Sequence, residues 1–265
     1  MKNSKLVFAA TVAVSAMLGI GAASAADLAA RPYTKAPPPV VAALYNWSGF
    51  YIGVNGGGGS SHDCWSLTNL FGVPVNPAAP EGCQNASGGT VGGQVGYRWQ
   101  ASSWVFGVEA QGNWANFKGN NANTLLPLFI ADQTTVNAFG LFTGQVGYAV
   151  NNVLFYVKGG AAVANNKYNN LILVAIPPFA AGQAFSQGTE TRWGGVAGVG
   201  VEYGFAPNWS VAAEYDHMFM GTNNVTLTLL PPLPALSGMH NISQDVDIGT
   251  IRVNYKFGGP VVARY

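Results

Sequence analysis

Charge is what this chain lacks most. Only 9% of its 265 residues are Asp, Glu, Lys or Arg, whereas an average soluble protein carries about 25%, so an ordinary water-facing surface cannot be built from it. Long apolar runs are missing too. Beyond the N-terminus no segment offers the ~20 uninterrupted apolar residues of a spanning helix, and the longest candidate, Leu171 to Gly182, is broken by Pro177 and Pro178. A surface that must face something other than water, without helical spans, leaves a closed β-barrel. The formal net charge is +1 and no Lys/Arg cluster occurs, which removes the electrostatic basis for a nucleic-acid partner.

What is present begins with an address. Lys2 and Lys5 precede an apolar run from Leu6 to Ile20 that closes on Ala23-Ser24-Ala25, the order of charge, apolar stretch and small residues found in a cleaved secretory signal. Residues 1–25 are therefore set apart from the fold. Export carries the two cysteines, Cys64 and Cys83, into an oxidising compartment, where one loop disulfide is expected. Closing such a loop removes on the order of 3 kcal/mol of unfolded-chain entropy. The competing reading, a metal or catalytic thiol, has only His62 nearby. Residues 26–45, with Arg31-Pro32 and Pro37-Pro38-Pro39 among alanines, read as an extended periplasmic linker.

From Trp47 onward, segments rich in Val, Tyr, Phe, Trp and Gly alternate with turn-like stretches. Eight such segments are expected, approximately Trp47 to Gly58, Gly89 to Trp99, Trp104 to Phe117, Val136 to Val150, Val153 to Ala164, Thr191 to Phe205, Trp209 to Met220 and Gln244 to Phe257. Each is long enough for a tilted spanning strand of about 9–11 residues. Short connections at Gln100 to Ser103, at Asn151-Asn152 and at Ala206 to Asn208 alternate with long ones at 59–88, 118–135, 165–190 and 221–243. That alternation is the outer-membrane barrel pattern, with the short turns periplasmic. The expected fold is all-β, an eight-stranded antiparallel up-and-down transmembrane barrel over 46–258, followed by a tail at 259–265.

Period-2 alternation separates two faces. In the seventh segment Trp209, Val211, Ala213, Tyr215 and Phe219 oppose Ser210, Ala212, Glu214 and Asp216. A soluble lipocalin-like barrel would show the same period with its apolar face inward. Charge decides, because polar faces turned outward would display only about one charge per strand, too few for solubility. Lipid therefore meets the apolar face. Trp47, Trp99, Trp104, Tyr148, Tyr203, Trp209 and Phe257 fall near the short-turn ends, where an interfacial girdle belongs. Arg98, Glu109, Lys158, Arg192, Glu202, Glu214, Asp216, Arg252 and Lys256 face inward. Buried charges persist when paired, and eight strands enclose little more than side chains, so a filled ion-pair network is expected. The alternative makes the same charges the selectivity path of a small channel.

The chain resembles the small porin-like outer-membrane β-barrels of alphaproteobacteria, the OmpA-like and opacity-like group that includes surface antigens of brucellae and rhizobia. The likeness rests on Ala26-Asp27-Leu28, Tyr45-Asn46-Trp47-Ser48-Gly49-Phe50-Tyr51-Ile52-Gly53 and Gly92-Gly93-Gln94-Val95-Gly96-Tyr97. It continues in Gly144-Gln145-Val146-Gly147-Tyr148, Gly198-Val199-Gly200-Val201-Glu202-Tyr203, Ala213-Glu214-Tyr215 and Val253-Asn254-Tyr255-Lys256-Phe257. The resemblance implies an integral barrel serving envelope integrity and surface contacts, with no cofactor and no enzymatic site. Its implied partners are outer-membrane lipid and lipopolysaccharide, the barrel-assembly machinery, and a host or neighbouring surface protein. A peptidoglycan-binding domain like that of longer relatives has no room before Tyr265, and Gly258 to Tyr265 extend past the aromatic Tyr255-x-Phe257 ending.

Two further sets of residues offer chemistry near the barrel mouth. Asp216-His217 with Asp245 and Asp247 is similar to the Asp and His groups of outer-membrane proteases, but adjacent strand residues face opposite sides and no activated nucleophile accompanies them. His217, Met218, Met220, Met239 and His240 offer haem or soft-metal donors at the extracellular mouth, without a ligand spacing. The long connections carry Leu125 to Ile130, Leu171 to Phe179 and Leu229 to Leu233. Such apolar tips either cap the barrel or form a contact patch.

Overall fold

Outward side chains between two aromatic rings are apolar or small apart from His217 and its partner Asp247 near the upper edge, and inward positions alternate with them, so strand geometry and solvent are matched from the first hairpin. The computed structural model describes residues 45–258; the signal peptide, nearly all of the linker and the 259–265 tail lie outside the described residues. Among these, eight strands form a closed antiparallel barrel in sequence order: β1 (Gly49–Leu70), β2 (Val73–Ala101), β3 (Trp104–Ala122), β4 (Ile130–Val150), β5 (Val153–Ile172), β6 (Ala184–Ala206), β7 (Trp209–Leu229) and β8 (Ser237–Lys256). β1 pairs with β8 from Tyr51↔Lys256 to Leu70↔Gly238, which removes both sheet edges.

The expected long connections are corrected. The strands run 19 to 29 residues, about twice what a bilayer needs, and most of the segments expected as loops are strand. The 59–88 stretch is a hairpin turned at 71–72. Its polar outward side chains hide it from a hydrophobic pattern, yet β1 and β2 stay in register from Gly49↔Arg98 through Cys64↔Cys83 to Trp65↔Gly82. Pro74, Pro77 and Pro80 are tolerated because this part of β2 pairs with β1 alone, β3 joining it only from Ser87 onward. The upper connections shrink to 71–72, 123–129, 173–183 and 230–236, while the lower turns are two residues each. Asn151 takes the left-handed conformation at one of them, with φ 53°.

Two aromatic rings mark the bilayer. At the short-turn end Trp99, Trp104, Tyr148, Tyr203, Trp209 and Phe257 are all exposed on the outer wall, with Trp104 edge-on to Tyr148 at 5.5 Å and Trp209 edge-on to Tyr255 at 5.0 Å. Trp114, Phe142, Trp193 and Phe219 form an upper set, ten residues from Trp104 to Trp114 and from Trp209 to Phe219. That spacing matches one tilted crossing. Above it the outward positions turn polar, at His62, Asn85, Lys118, Asn165, Thr191 and Asn223.

Trp47 is corrected. It is 2% exposed and sits inside the lower mouth, not in the girdle. Residues 45–48 precede β1 and have no strand partner, so their backbone groups find side chains instead. Trp47 N donates to Gln100 Oε1 at 2.9 Å and Tyr45 N to Asn152 Oδ1 at 3.2 Å. Folded inward, Tyr45 and Trp47 pack with Val105, Ala149, Leu154 and Tyr156 as an apolar plug.

One seam interrupts the wall. β6 and β7 pair up to Gly195↔Phe219 and again at Gln187↔Thr228, with no register between. Gly221, at φ 66°, bends β7 there, and the fully buried Arg192 donates to the carbonyls of Gly221 at 3.2 Å and Ile242 at 3.0 Å. The guanidinium thus covers the Gly221 carbonyl, on the strand whose β6 ladder is missing, and reaches on to β8 at Ile242.

Candidate functional site

The lumen is filled in layers. Above the Tyr45/Trp47 plug, Arg98 Nη2 meets Glu202 at 2.8 Å, while Lys158 Nζ meets Glu214 at 2.6 Å and Asp216 at 3.1 Å. Arg252 bridges Glu214 and Glu109, the latter at 2.5 Å. Lys158 and Arg252 thereby connect three carboxylates, the Arg98–Glu202 pair joins them through Gln145 and Tyr51, and all seven charged groups are buried. Hydrogen bonds extend the network as buried charge demands: Tyr51 Oη donates to Glu109 at 2.6 Å, Tyr156 Oη to Glu214 at 2.7 Å, and Asn254 Nδ2 to Glu202 at 3.0 Å.

The two Tyr–Glu pairs are related. Each joins residues 58 apart, β1 to β3 and β5 to β7, and each Tyr ring lies over an inward glycine, Gly96 or Gly200, whose Cβ would overlap it. Arg252 therefore ties two similar half-barrels together. The Arg98 guanidinium also lies 4.5 Å over the Tyr51 ring, a cation–π contact away from water.

Two expected members stand outside this network. Arg192 pairs with Glu190 at 2.8 Å in a higher layer, and its other acceptors are the carbonyls of Gly221 at the β6–β7 seam and Ile242 on β8. Lys256 gives its ammonium to the Asn46 carbonyl and partners no carboxylate, since the inward-folded 45–48 segment reaches it first. Tyr51 and Tyr156 were missed in the sequence; their inward position follows from the outward Phe50 and Ile52 and the outward Phe155 and Val157.

Over the charged layer lies an apolar one containing Phe117, Val136, Phe139, Met218, Met220 and Ile248. A polar layer follows, where Gln244 is linked to Asn166 at 2.8 Å and to Ser61 at 3.1 Å. Asp63 belongs to it, with a pKa pushed up to about 6 by burial. Trp65, Tyr168, Val225, Leu227 and Ile242 close the upper lumen. At the mouth itself, His240 Nδ1 and Glu81 Oε2 are 2.7 Å apart, and Asn123 Nδ2 donates to both Glu81 Oε1 at 3.1 Å and Asp132 Oδ2 at 2.9 Å. Burial, and then the Glu81 charge, push the Asp132 carboxyl up to about 7. No sequence spacing marks this cluster, since its residues come from β2, β4, β8 and the 123–129 turn.

The remaining chemistries resolve by geometry. Cys64 and Cys83 are disulfide-bonded, directly opposite each other on β1 and β2, so the thiol reading with His62 is overturned even though His62 Nε2 is 3.5 Å from Cys64 Sγ. Asp216 points inward to Lys158, whereas His217 points outward and meets Asp247 at 2.7 Å at the membrane edge, where Tyr215 Oη bonds the same carboxylate. The soft-metal donors are likewise split: Met218, Met220 and His240 are buried, Met239 is exposed and His217 lies on the outer wall. The strand alternation that hides them from the residue order separates them in space. The apolar connections do lean on one another, Leu173 N donating to Phe129 O at 2.8 Å and Leu230 N to Phe185 O at 2.8 Å, yet Leu125, Leu126, Leu128, Leu173, Val174 and Ile176 remain exposed.

A closed eight-stranded wall with an apolar band, aromatic rings at both edges and charges only inside or above defines an integral outer-membrane β-barrel. The chain belongs to the outer membrane protein beta-barrel domain family, whose model matches residues 11–257. It is 28% identical to the 31 kDa outer-membrane immunogenic proteins of Brucella melitensis and Brucella suis, over 92% of this chain and 97% of theirs. Among solved structures it is similar to the outer membrane protein OprG of Pseudomonas aeruginosa, at 14% identity and a TM-score of 0.48, covering 81% of this chain and 99% of that one. It is also similar to Neisserial surface protein A, at 16% identity and a TM-score of 0.37, covering 79% and 98%. The protein is thus an outer-membrane barrel related to immunogenic outer-membrane proteins.

Proposed function

We propose that this barrel serves envelope structure and surface contact, and that it neither conducts nor catalyses. The observation that carries the reading is the layered lumen: apolar plugs built on Trp47 below and on Phe117, Met218 and Trp65 above enclose a buried ion-pair network. An ion crossing it would have to shed water against three apolar layers, at a cost of several kcal/mol per charge. The exposed apolar rim at Leu125, Leu128 and Ile176 is the part offered to lipopolysaccharide or to another surface protein. The immunogenic naming of the Brucella relatives supports surface display. Planar-bilayer recording of the refolded protein tests this: no unit conductance is expected, whereas steady, salt-dependent steps would establish the small-channel alternative and refute the filled lumen.

A further inference from the structure

The extracellular mouth is not filled to the top. A cavity of about 310 Å³ opens between the β1–β2 tip, the 123–129 turn and the ends of β6 and β7, walled by Leu67, Phe71, Leu125, Leu126, Phe185 and Leu229. Its floor is polar, made by Glu81, His240, Asn123, Asn170 and Ser186. At about 30 Å³ per water-sized group, the space suits an apolar body of roughly ten non-hydrogen atoms, near the lower end of small-molecule sites.

The floor specifies the other end of the occupant. Glu81 and Asp132, both buried, share the Asn123 amide, and among the described residues the imidazole of His240 is the one basic group bonded to either carboxylate. Neither is in a salt bridge with a lysine or arginine of the described residues. Ionising both carboxylates would leave one negative charge unbalanced in a desolvated site even with the imidazole protonated, a cost that the Asp132 carboxyl meets by holding its proton and that a bound cation would meet instead. Lone pairs remain for it. Glu81 uses one bond on each oxygen, out of about four acceptor sites. Ser186 Oγ gives its proton to Asn170 Oδ1 at 2.5 Å, so it faces the cavity as an acceptor. A donor head is required and an anionic one is repelled.

We propose that the mouth cavity binds small apolar primary amines, with the ammonium on Glu81 and Ser186 and the apolar body against Leu125, Leu126 and Phe185. The claim stands apart from whether the lumen conducts, because the apolar layer of Trp65, Tyr168 and Leu227 lies beneath the site.

The test uses the full mature protein in lipid nanodiscs, with saturation-transfer NMR and calorimetric titration of three probes of one shape: 2-phenylethylamine, 2-phenylethanol and phenylacetate. Subtraction of empty nanodiscs removes partition into lipid. The amine should bind at least tenfold tighter than the alcohol, phenylacetate should not bind, and Glu81→Gln should erase the amine's advantage while leaving alcohol binding in place. Leu126→Trp, which fills the cavity from the wall, should abolish binding of both; heat-modifiability confirms that each variant is a folded barrel. Equal binding of amine and alcohol, preference for phenylacetate, no binding at all, or an amine preference that survives Glu81→Gln would each overturn the assignment.

Discussion

Replacing Arg252 with methionine removes the one side chain that bonds both half-barrel glutamates. In the wild type its two terminal nitrogens hold Glu109 and Glu214, and all three side chains are no more than 1% exposed. The variant keeps the volume and the apolar stem but leaves Glu109 with the Tyr51 hydroxyl and a Lys158 ammonium 3.9 Å away. Glu214 is less affected, since Lys158 and Tyr156 still bond it. Breaking a buried pair by removing one partner costs about 3–5 kcal/mol. One uncompensated glutamate, with the second still paired, places the expected loss near the lower end, about 3 kcal/mol. The assay is urea unfolding in lipid vesicles followed by heat-modifiable migration and tryptophan fluorescence. The double variant Arg252→Met with Glu109→Gln should recover a large part of the loss, because an amide at 109 no longer carries stranded charge. A single variant within 0.5 kcal/mol of wild type would refute the view that this network is dry; it would mean that water reaches Glu109 and screens it.

Three shorter predictions accompany it. Gly96→Val places a side chain where the Tyr51 ring lies, so Tyr51 must leave Glu109; slower refolding yield and lower unfolding midpoint are expected, with Gly112→Ala, where a Cβ meets nothing within 4 Å, as the neutral control. Asp132 carries a folded-state pKa raised to about 7 by burial and by Glu81, with His240 opposing, against about 3.9 unfolded. The folded state thus holds a proton that the unfolded chain releases, so the stability is present below about pH 4 and lost as pH rises through about 7; wild type should lose stability relative to Asp132→Asn between pH 5 and 8, and a constant difference would contradict it. Removing the Cys64–Cys83 bond, which closes a loop with a sequence separation of 19, should cost up to about 3 kcal/mol and speed proteolysis of the upper β1–β2 hairpin, with the membrane band unaffected.

Composition and period were enough for the class. A chain with 9% charge and no spanning helix has one way to satisfy its backbone in lipid, and alternation placed Glu109, Glu202, Glu214 and Arg252 inside, because a strand residue's face is fixed by parity alone. Parity does not fix height or partner. Arg192 and Lys256 share the inward parity but lie in other layers, their partners chosen by the β6–β7 seam and by the inward-folded 45–48 segment. Trp47 was misplaced for the same reason: ahead of β1 no ladder dictates its face, and burial decides. The strand extensions above the membrane were hidden because both of their faces are polar or mixed, so that only pairing with a neighbour, as at Cys64↔Cys83, reveals them. The mouth cluster of Glu81, Asp132 and His240 exists only once three distant strands, β2, β4 and β8, meet at the rim. What the residues determined unaided was solvent and face; which charges touch, and what space they leave, was decided by barrel closure and register, which no local pattern encodes.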